Sequence, residues 1–200
     1  MTKNLLFGVG VRDTEKPVNW LVNGKRKTCP YYLKWRGVLN RCYSETFLKN
    51  KPSYIGCTAS EEWLKFSNFK RWMDQQDWRG KDLDKDIIKP GNKIYSPEFC
   101  CFVPQDLNKL LTDRKTERGK WPVGVHWNKG IQKFEARCNA NGKRRCLGSY
   151  DTPEKASGAY RSFKASLILD KAREQSDIRI ASGLIAHAQI LINKRSGALQ

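Results

Sequence analysis

Aromatic and aliphatic side chains recur at helical spacing over much of the first half of the chain. Apolar residues three and four apart predict a helix over residues 31–43. A second helix is predicted from Ser60, a capping residue followed by two acids, to Gln75. We expect one side of this second helix to lie in a core. Its apolar side chains are Trp63, Phe66, Phe69, Trp72 and Met73.

Short apolar runs separated by turn residues follow these helices. Residues 82–88 and 94–103 predict two strands, because a turn containing Pro and Gly separates them at 90–93. Residues 105–111 predict a short helix. The polar stretch 112–120 has no apolar periodicity, so we place a linker and a domain boundary there.

Apolar and polar residues alternate with a period of two after this linker, which predicts a small antiparallel sheet. The dipeptide Asn141-Gly142 predicts a hairpin turn into the third strand, which Gly148 closes. The predicted strands are 123–127, 132–139 and 144–147. In the central strand, Phe134, Ala136 and Cys138 face one side, and Glu135, Arg137 and Asn139 face the other.

Two helices complete the predicted fold, whose class is α+β. Thr152 is a capping residue, Pro153 suits the first helical position, and an apolar stripe continues to Leu167. A last helix is predicted over 177–193. The predicted segments are an N-terminal domain with a basic arm (1–111), the linker (112–120), a three-stranded antiparallel sheet packed on a helix (121–170), and a C-terminal helix (171–200).

The charge of the 200-residue chain is high and uneven. Its formal net charge of +18 favours a polyanionic partner. Residues 1–51 carry 11 basic and 3 acidic side chains and residues 112–150 carry 10 and 3, whereas residues 52–111 carry 9 of each. Two basic segments therefore flank a neutral middle that contains acids. Charge added only for solubility is the alternative, and the concentration of basic residues after position 112 makes it the weaker one.

Cysteine usage and hydropathy indicate a compartment. The seven cysteines are odd in number and include no C-x-x-C pair, which argues against a disulfide framework and a zinc ribbon. No apolar run approaches the roughly 18 residues of a membrane helix, and the N-terminal apolar stretch is too short for a signal peptide. We expect a soluble, intracellular protein with neither a membrane nor a disulfide-linked partner.

Four motifs follow one another between residues 124 and 160. They are Gly124-Val125, Phe134-Glu135-Ala136-Arg137, Leu147-Gly148-Ser149-Tyr150-Asp151-Thr152-Pro153-Glu154-Lys155-Ala156, and Ala159-Tyr160. Together they closely resemble the ethylene-response-factor DNA-binding domain. The resemblance implies a three-stranded sheet packed on one helix, in which the sheet rather than the helix enters the major groove of DNA.

The polar side of the predicted sheet supplies candidate DNA-binding residues. Arg can bond guanine through two hydrogen bonds and Asn can do the same for adenine, so Arg137 and Asn139 suit base recognition, with Arg144 beside them. The resemblance also implies contacts from His126 and Cys146, and a structural role is an equal alternative for His126. Phosphate contacts are expected from Lys129, Lys133, Lys143 and Arg145.

A second set of motifs lies before the linker. It comprises Tyr32-x-x-Trp35, Arg41-Cys42-Tyr43, Trp63, Phe66-x-Asn68-Phe69, Leu83-Asp84-Lys85-Asp86 and Tyr95-Ser96-Pro97-Glu98-x-Cys100. This set resembles phage-encoded HNH homing endonucleases, in which a ββα unit holds a divalent metal against the scissile phosphate. Many phage members join that unit to a C-terminal DNA-binding module of the kind described above. The resemblance implies an HNH-like ββα-metal domain, Mg²⁺ or Mn²⁺ as cofactor and, for a phage protein, the host cytoplasm.

Acidic and amide side chains between residues 84 and 98 form the predicted metal site. Asp84 and Asp86 lie two apart, so in a strand they would share a face and could bind one hard cation. Asn92 and Glu98 are further candidate ligands. A solvated loop is the alternative when spacing alone is considered, and the resemblance favours the metal site.

The histidine that serves as general base in the resembling family is missing. His126 and His187 are the two histidines of the chain, and neither lies in 52–111. If Asp84 holds the metal, Lys85 stands at the position of the base, and we take both as candidate catalytic residues. Three interpretations stay open: metal-bound water supplies hydroxide, Lys85 acts as base in surroundings that favour its neutral form, or the unit only binds DNA.

Taken together, the patterns predict metal-dependent cleavage or nicking of double-stranded DNA. The alternative is a non-catalytic DNA-binding protein derived from an HNH nuclease, which the missing histidine favours. RNA binding is a third hypothesis that the charge permits. Arg137 and Asn139 suit the groove of duplex DNA better.

Overall fold

The chain folds into two units, Met1–Asn108 and Lys109–Gln200. A computed structural model describes residues 5–111, 120–140 and 142–194. The predicted linker lies outside the described residues except for Lys120, and so does Asn141 of the predicted hairpin turn. The described part contains helices and small sheets, one of them three-stranded and antiparallel, as expected for the α+β class. None of the described helices combines the length and apolarity needed to cross a membrane.

Four helices and six short strands are described in residues 5–111. The helices are α1 (Pro30–Tyr43), α2 (Glu45–Asn50), α3 (Phe66–Asp74) and α4 (Gln105–Leu111), and Pro52–Tyr54 and Glu61–Leu64 form 3₁₀ turns. The strands are β1 (Asn19–Val22), β2 (Lys25–Thr28), β3 (Thr58–Ala59), β4 (Asp82–Asp84), β5 (Ile94–Tyr95) and β6 (Cys101–Val103). β1 pairs with β2 and β4 with β6 in antiparallel fashion, whereas β3 and β5 are parallel.

An aromatic core holds the first unit together, as the helical spacing predicted. α1 buries Trp35 completely, and α3 buries Phe69 and Met73 completely. Trp63 is also fully buried, and its carbonyl oxygen accepts a hydrogen bond of 2.7 Å from Trp35 Nε1. The polar atom of Trp35 is therefore satisfied inside the core, where an unpaired donor would cost about 1–3 kcal/mol.

The helix predicted from Ser60 to Gln75 is wrong as a single element. The backbone is extended at Lys65, between the 3₁₀ turn and α3. Val11 causes the break, because its N–H donates to Leu64 O (2.8 Å) and its carbonyl accepts from Phe66 N (3.0 Å). A segment far away in sequence thus takes two backbone groups that a continuous helix would have used, and no local pattern announces that competition.

The two strands predicted before α4 are also shorter than expected. β4 ends at Asp84, because that side chain accepts hydrogen bonds from the backbone N–H groups of Asp86 and Ile87 and closes a turn. The second predicted strand is interrupted where Cys100 N donates to Ser96 O (3.0 Å). The argument that Asp84 and Asp86 share one face of a strand therefore fails.

A sheet packed on a long helix forms the second unit. Its elements are β7 (Val125–Asn128), β8 (Lys133–Ala140), β9 (Lys143–Tyr150), α5 (Pro153–Arg173) and α6 (Ile178–Asn193). The sheet is antiparallel in the order β7-β8-β9. Val125, Phe134, Ala136 and Ala156 of α5 form its small core, so the predicted apolar side of the sheet is confirmed.

Gly124 and Tyr160, two motif residues of the second unit, lie against each other. Gly124 has a φ of +76°, and a Cβ there would lie 2.1 Å from Tyr160 Cδ2 on α5. Glycine is required both by the backbone conformation and by the ring that lies against it. The predicted cap is also confirmed, since Thr152 Oγ1 accepts a hydrogen bond from Lys155 N at 3.3 Å.

The third strand of the sheet is longer than predicted. Gly148 does not close it, because β9 continues to Tyr150. A bulge lies in the pairing of β8 with β9: Ala136 is opposite Gly148, whereas Arg137 is opposite Cys146. Gly148 has a φ of +128°, which only glycine adopts readily, so the residue that looked like a terminator instead permits the bulge.

Candidate nucleic-acid interface and predicted metal site

The side of the β7-β8-β9 sheet that points away from α5 carries most of the predicted DNA-binding residues. Directly opposite residues of antiparallel strands point to the same side, so the strand register assigns the side chains. His126 is opposite Glu135, Arg137 opposite Cys146, and Asn139 opposite Arg144. We call this surface the open face. It comprises His126, Asn128, Lys133, Glu135, Arg137, Asn139, Arg144, Cys146 and Ser149.

Glu135 organises the centre of the open face. Its Oε2 accepts hydrogen bonds from two nitrogens of Arg137, and the bond from Nε is 2.8 Å long. Its Oε1 accepts from Asn128 Nδ2 at 2.6 Å. These hydrogen bonds, that of Asn128 first and that of Arg137 second, hold the pKa of the Glu135 carboxyl below its ordinary value. Glu135 is therefore ionised at neutral pH and fixes the orientation of the Arg137 side chain.

Arg144 reaches across β8 to His126. Its Nη2 lies 3.4 Å from His126 Nε2. Arginine can only donate, so Nε2 is the acceptor and the histidine proton lies on Nδ1. Burial, followed by the charges of Arg144 and Arg137, holds the pKa of His126 below its usual value. The imidazole is neutral at pH 7, and the positive charge at this end of the open face comes from the two arginines.

The predicted phosphate-binding residues divide into groups. Lys129 is exposed in the turn between β7 and β8. Lys133 lies on the open face but pairs with Asp151 at 3.1 Å. Lys143 and Arg145 are exposed but lie opposite Ala140 and Cys138, on the side of the sheet that faces α5. A duplex held against the open face would therefore not meet those last two residues on the same surface.

Asp84 and Lys85, the predicted catalytic pair, are used inside the first unit. Asp84 Oδ1 accepts from Asp86 N at 2.6 Å and from Ile87 N at 2.8 Å. Burial raises the pKa of the Asp84 carboxyl. Lys85 is only 6% exposed, and its Nζ donates at 2.7 Å to both carboxylate oxygens of Asp86 and to Asn92 O. The lysine thus ties the turn after β4 to the loop before β5.

Of the other predicted ligands, Asn92 also binds protein groups, whereas Glu98 is exposed. Asn92 is buried, its Nδ2 donates to Lys85 O (2.9 Å) and Ile94 O (2.7 Å), and its Oδ1 accepts from Ile94 N (3.2 Å). Glu98 is exposed. Within residues 5–111, 120–140 and 142–194, no three His, Cys, Asp or Glu side chains are grouped to hold a metal. The four predicted ligands do not fit a preformed metal site, because three of them already bind protein groups.

Comparison with protein-family models finds no match for this chain. No curated protein and no solved structure matches it either. The functional interpretation therefore depends on the residues and their geometry.

Sequence reasoning missed the role of Glu135. It put this residue on the same side as Arg137 but assigned it no role. The signal was present in the spacing, since residues two apart in a strand lie side by side and opposite charges there form a pair. Lys85 was also misjudged, because nothing local indicates that an isolated lysine lies buried against the carbonyl of Asn92.

Proposed function

We propose that this protein binds double-stranded DNA and that the open face is its DNA-reading surface. The observation that carries the proposal is the placement of Arg137, Asn139 and Arg144 together on one exposed side of a sheet whose other side is covered by α5. A strand surface of this kind fits the major groove, where Arg can bond guanine and Asn can bond adenine. The net charge of +18 supports a polyanionic partner.

The pairing of Arg137 with Glu135 suits base recognition better than phosphate binding. A phosphate would be repelled by the neighbouring carboxylate, whereas a base edge is neutral. The pair uses Nε and Nη2 of the guanidinium, and Nη1 takes no part in it. A fixed arginine also loses less side-chain entropy when it binds than a free one.

Selection of binding sites from a random duplex library tests the proposal. Wild-type protein should enrich a short motif, and Arg137→Ala should weaken binding to it by about 1–3 kcal/mol and relax the preference at one or two positions. Arg145→Ala is the matched control, because it removes the same charge from the other side of the sheet. Equal losses from the two variants would contradict the open face as the reading surface.

Cleavage of the bound DNA is the second candidate function, and the order of elements before the linker supports it. β4 and β6 are antiparallel, and α4 follows β6 after a single residue. Asn108 of α4 donates from Nδ2 to Asp82 Oδ2 of β4 at 3.3 Å, so helix and strand are in contact. An antiparallel strand pair followed by a helix supports the ββα unit that the HNH resemblance implies, although the short strand β5, which pairs with β3, lies between β4 and β6 in the chain. We derive no catalytic step, because the predicted ligands are engaged by protein groups.

Nicking of supercoiled plasmid with Mg²⁺ or Mn²⁺ tests this second candidate. Asp84→Asn keeps an Oδ1 acceptor for the turn but removes the carboxylate, so it separates chemistry from folding. We expect nicking by the wild type and its loss in Asp84→Asn with unchanged DNA binding. Absence of metal-dependent nicking by the wild type would exclude cleavage and leave DNA binding intact.

A further inference from the structure

The hairpin formed by β1 and β2 is exposed over its whole outer part. Residues 20–27 are all exposed, and the apolar side chains of Trp20, Leu21 and Val22 are 43%, 73% and 42% exposed. The turn residues Asn23 and Gly24 both have positive φ, at 50° and 71°, which gives the tight turn that two-residue hairpins favour. Trp20, Leu21 and Val22 are therefore exposed to solvent on a regular β-hairpin.

The base of this hairpin is fixed to the rest of its unit. Val18 is buried, and its carbonyl accepts from Cys29 N at 2.8 Å. Thr28 Oγ1 donates to Asn19 Oδ1 at 2.8 Å and joins the two strands at the same end. A two-stranded ribbon by itself is only marginally stable in water, and Trp20, Leu21 and Val22 lie outside the buried core of the unit.

The exposed apolar side chains lie opposite a run of cations. Trp20 is paired with Lys27, Leu21 with Arg26, and Val22 with Lys25. Residues 19–28 contain no acid. Lys25, Arg26 and Lys27 form no ion pair within the described part of the chain. Since opposite residues share a side, Lys25 and Lys27 lie with Trp20 on one side of the ribbon, and Arg26 lies with Leu21 on the other.

We propose that the β1–β2 hairpin is a second DNA-binding element, which enters a groove of the duplex with its apolar side chains on sugars and base edges. The inference rests on the DNA partner of the proposed function and adds a contact surface on the other unit. A two-stranded ribbon fits the major groove, and cations on both of its sides meet both phosphate walls. Apolar side chains of basic DNA-binding proteins also pack against or between bases.

Charge distribution favours DNA over a lipid surface. A membrane-binding segment separates an apolar side from a charged side. The hairpin mixes apolar and basic groups on each side, as a ribbon between two phosphate walls requires. An acidic protein would satisfy the cations as well, and polyglutamate serves as the probe for that partner.

Salt dependence of duplex binding tests the cationic part of the inference. The test variant carries Lys25→Gln, Arg26→Gln and Lys27→Gln, and the matched control carries Lys49→Gln, Lys51→Gln and Lys89→Gln, three exposed lysines elsewhere in the same unit. The slope of log K against log salt is negative, and each phosphate contact that is lost makes it less steep by about 0.9. We therefore expect the slope of the hairpin variant, and not that of the control, to be less steep than that of the wild type by about 2.7. The loss of affinity between 50 and 200 mM salt should then be about 40-fold smaller than for the wild type.

A second variant tests the apolar part. Trp20→Ala should weaken duplex binding at least about fivefold, the low end of the range for aromatic contacts with bases, without changing the salt slope. Its fluorescence provides an independent readout, because removal of Trp20 should also remove part of the emission change that DNA causes. Urea unfolding of both variants should match the wild type, since the hairpin lies outside the core.

The outcomes separate this inference from the proposed function. If the hairpin variant and its control have equal salt slopes while Arg137→Ala still weakens binding, the hairpin is not a DNA contact and the open face remains one. If polyglutamate binds the wild type at least as tightly as the duplex does at equal charge concentration, and the hairpin variant loses polyglutamate binding but keeps duplex binding, the partner is an acidic protein and the inference is overturned. If the wild type binds no duplex at any salt concentration, both proposals fail.

Discussion

The segment from Asp84 to Asn92 and the open face contain similar numbers of charged residues, but most of these residues bind neighbouring protein groups in the first region, whereas most lie at the surface in the second. In the segment from Asp84 to Asn92, the two carboxylates and Lys85 bind backbone groups and one another, and Lys85 is buried. On the open face, Arg144 and Asn139 are exposed and Arg137 is half-exposed and fixed by a single acid. The first region uses its charges to hold a turn and a loop together, and the second leaves Arg144 exposed and Arg137 half-exposed at the surface.

Secondary structure accounts for this difference. A strand of eight residues with one covered side points its alternate side chains away from that side, as Lys133, Arg137 and Asn139 do in β8, although Glu135 among them is buried by its neighbours. A turn brings side chains back towards the backbone of neighbouring residues, where short acids such as Asp84 form hydrogen bonds. The same residue types therefore suggest binding when they lie in a long strand and local structure when they lie in a turn.

Replacement of Lys85 by Met should give the largest effect on stability. The substitution leaves Asp86 and the carbonyl of Asn92 without the ammonium group that now binds them. The Asp86 side chain is 44% exposed, so we expect the low end of the range for a broken buried pair, about 3 kcal/mol. Urea unfolding measures the change, and duplex affinity at a temperature where the variant is folded should equal that of the wild type.

An exposed lysine of the same segment supplies the control for that substitution. Lys89→Met removes the same charge from an exposed side chain whose ammonium lies over the ring of Phe99, at 5.3 Å from the ring centre. We expect a loss below about 1 kcal/mol. Similar losses for the two variants would show that Lys85 is not the structural link described above.

In contrast to Lys85→Met, replacement of Arg144 by Ala should lower duplex affinity and leave stability nearly unchanged. The side chain is exposed and lies 3.4 Å from His126, so unfolding free energy should change by no more than about 0.5 kcal/mol. Duplex affinity should fall by about 1–3 kcal/mol, as measured by fluorescence anisotropy. A variant that loses stability but keeps its affinity would remove the contrast between the open face and the buried segment.

The strands and the helix start of the second unit were predicted well because neighbouring residues determine them. Alternation over 132–139 gave the covered and open sides, and the Thr152-Pro153 pair gave the start of α5. Even the bulge had a visible sign, a glycine inside the third strand, although it was interpreted as an end. The residues that face away from α5 could then be predicted, because one covered side of a strand determines which of its side chains can face outwards.

Prediction of the first unit was weaker because contacts between distant residues decide its structure. Aromatic spacing predicted the core residues, but Val11 broke the helix expected from Ser60 to Gln75. The turn at Asp84 and the buried contact of Lys85 with Asn92 O join segments that no periodicity links. Candidate ligands could be chosen by type, whereas their hydrogen-bond partners could not.

Titration of His126 should sharpen the description of the open face. Burial and the neighbouring arginines hold its pKa below the ordinary value, so protonation opposes the folded state. Its contribution to stability is complete above the unfolded-state pKa, near 6.5, and is lost as pH falls through the lower folded-state value. NMR can follow it, since the chain has only two histidines. Arg144→Ala should move the pKa upwards, and bound DNA should do the same, because phosphates favour the protonated ring.

The smallest expected effect concerns Asp84→Asn and its dependence on pH. Burial raises the pKa of the Asp84 carboxyl, so the folded state takes up a proton more readily than the unfolded chain. The wild type therefore gains stability relative to the variant as pH falls through the folded-state pKa towards the ordinary value of 3.8, and loses it as pH rises. The asparagine keeps the acceptor for Asp86 N and Ile87 N and carries no charge, so the variant should be as stable as the wild type or more stable at pH 7. Parallel urea titrations at pH 3 and pH 7 measure the difference. If the variant is clearly less stable at pH 7, the carboxylate itself is needed to hold this turn, and the expectation drawn from the raised pKa is contradicted.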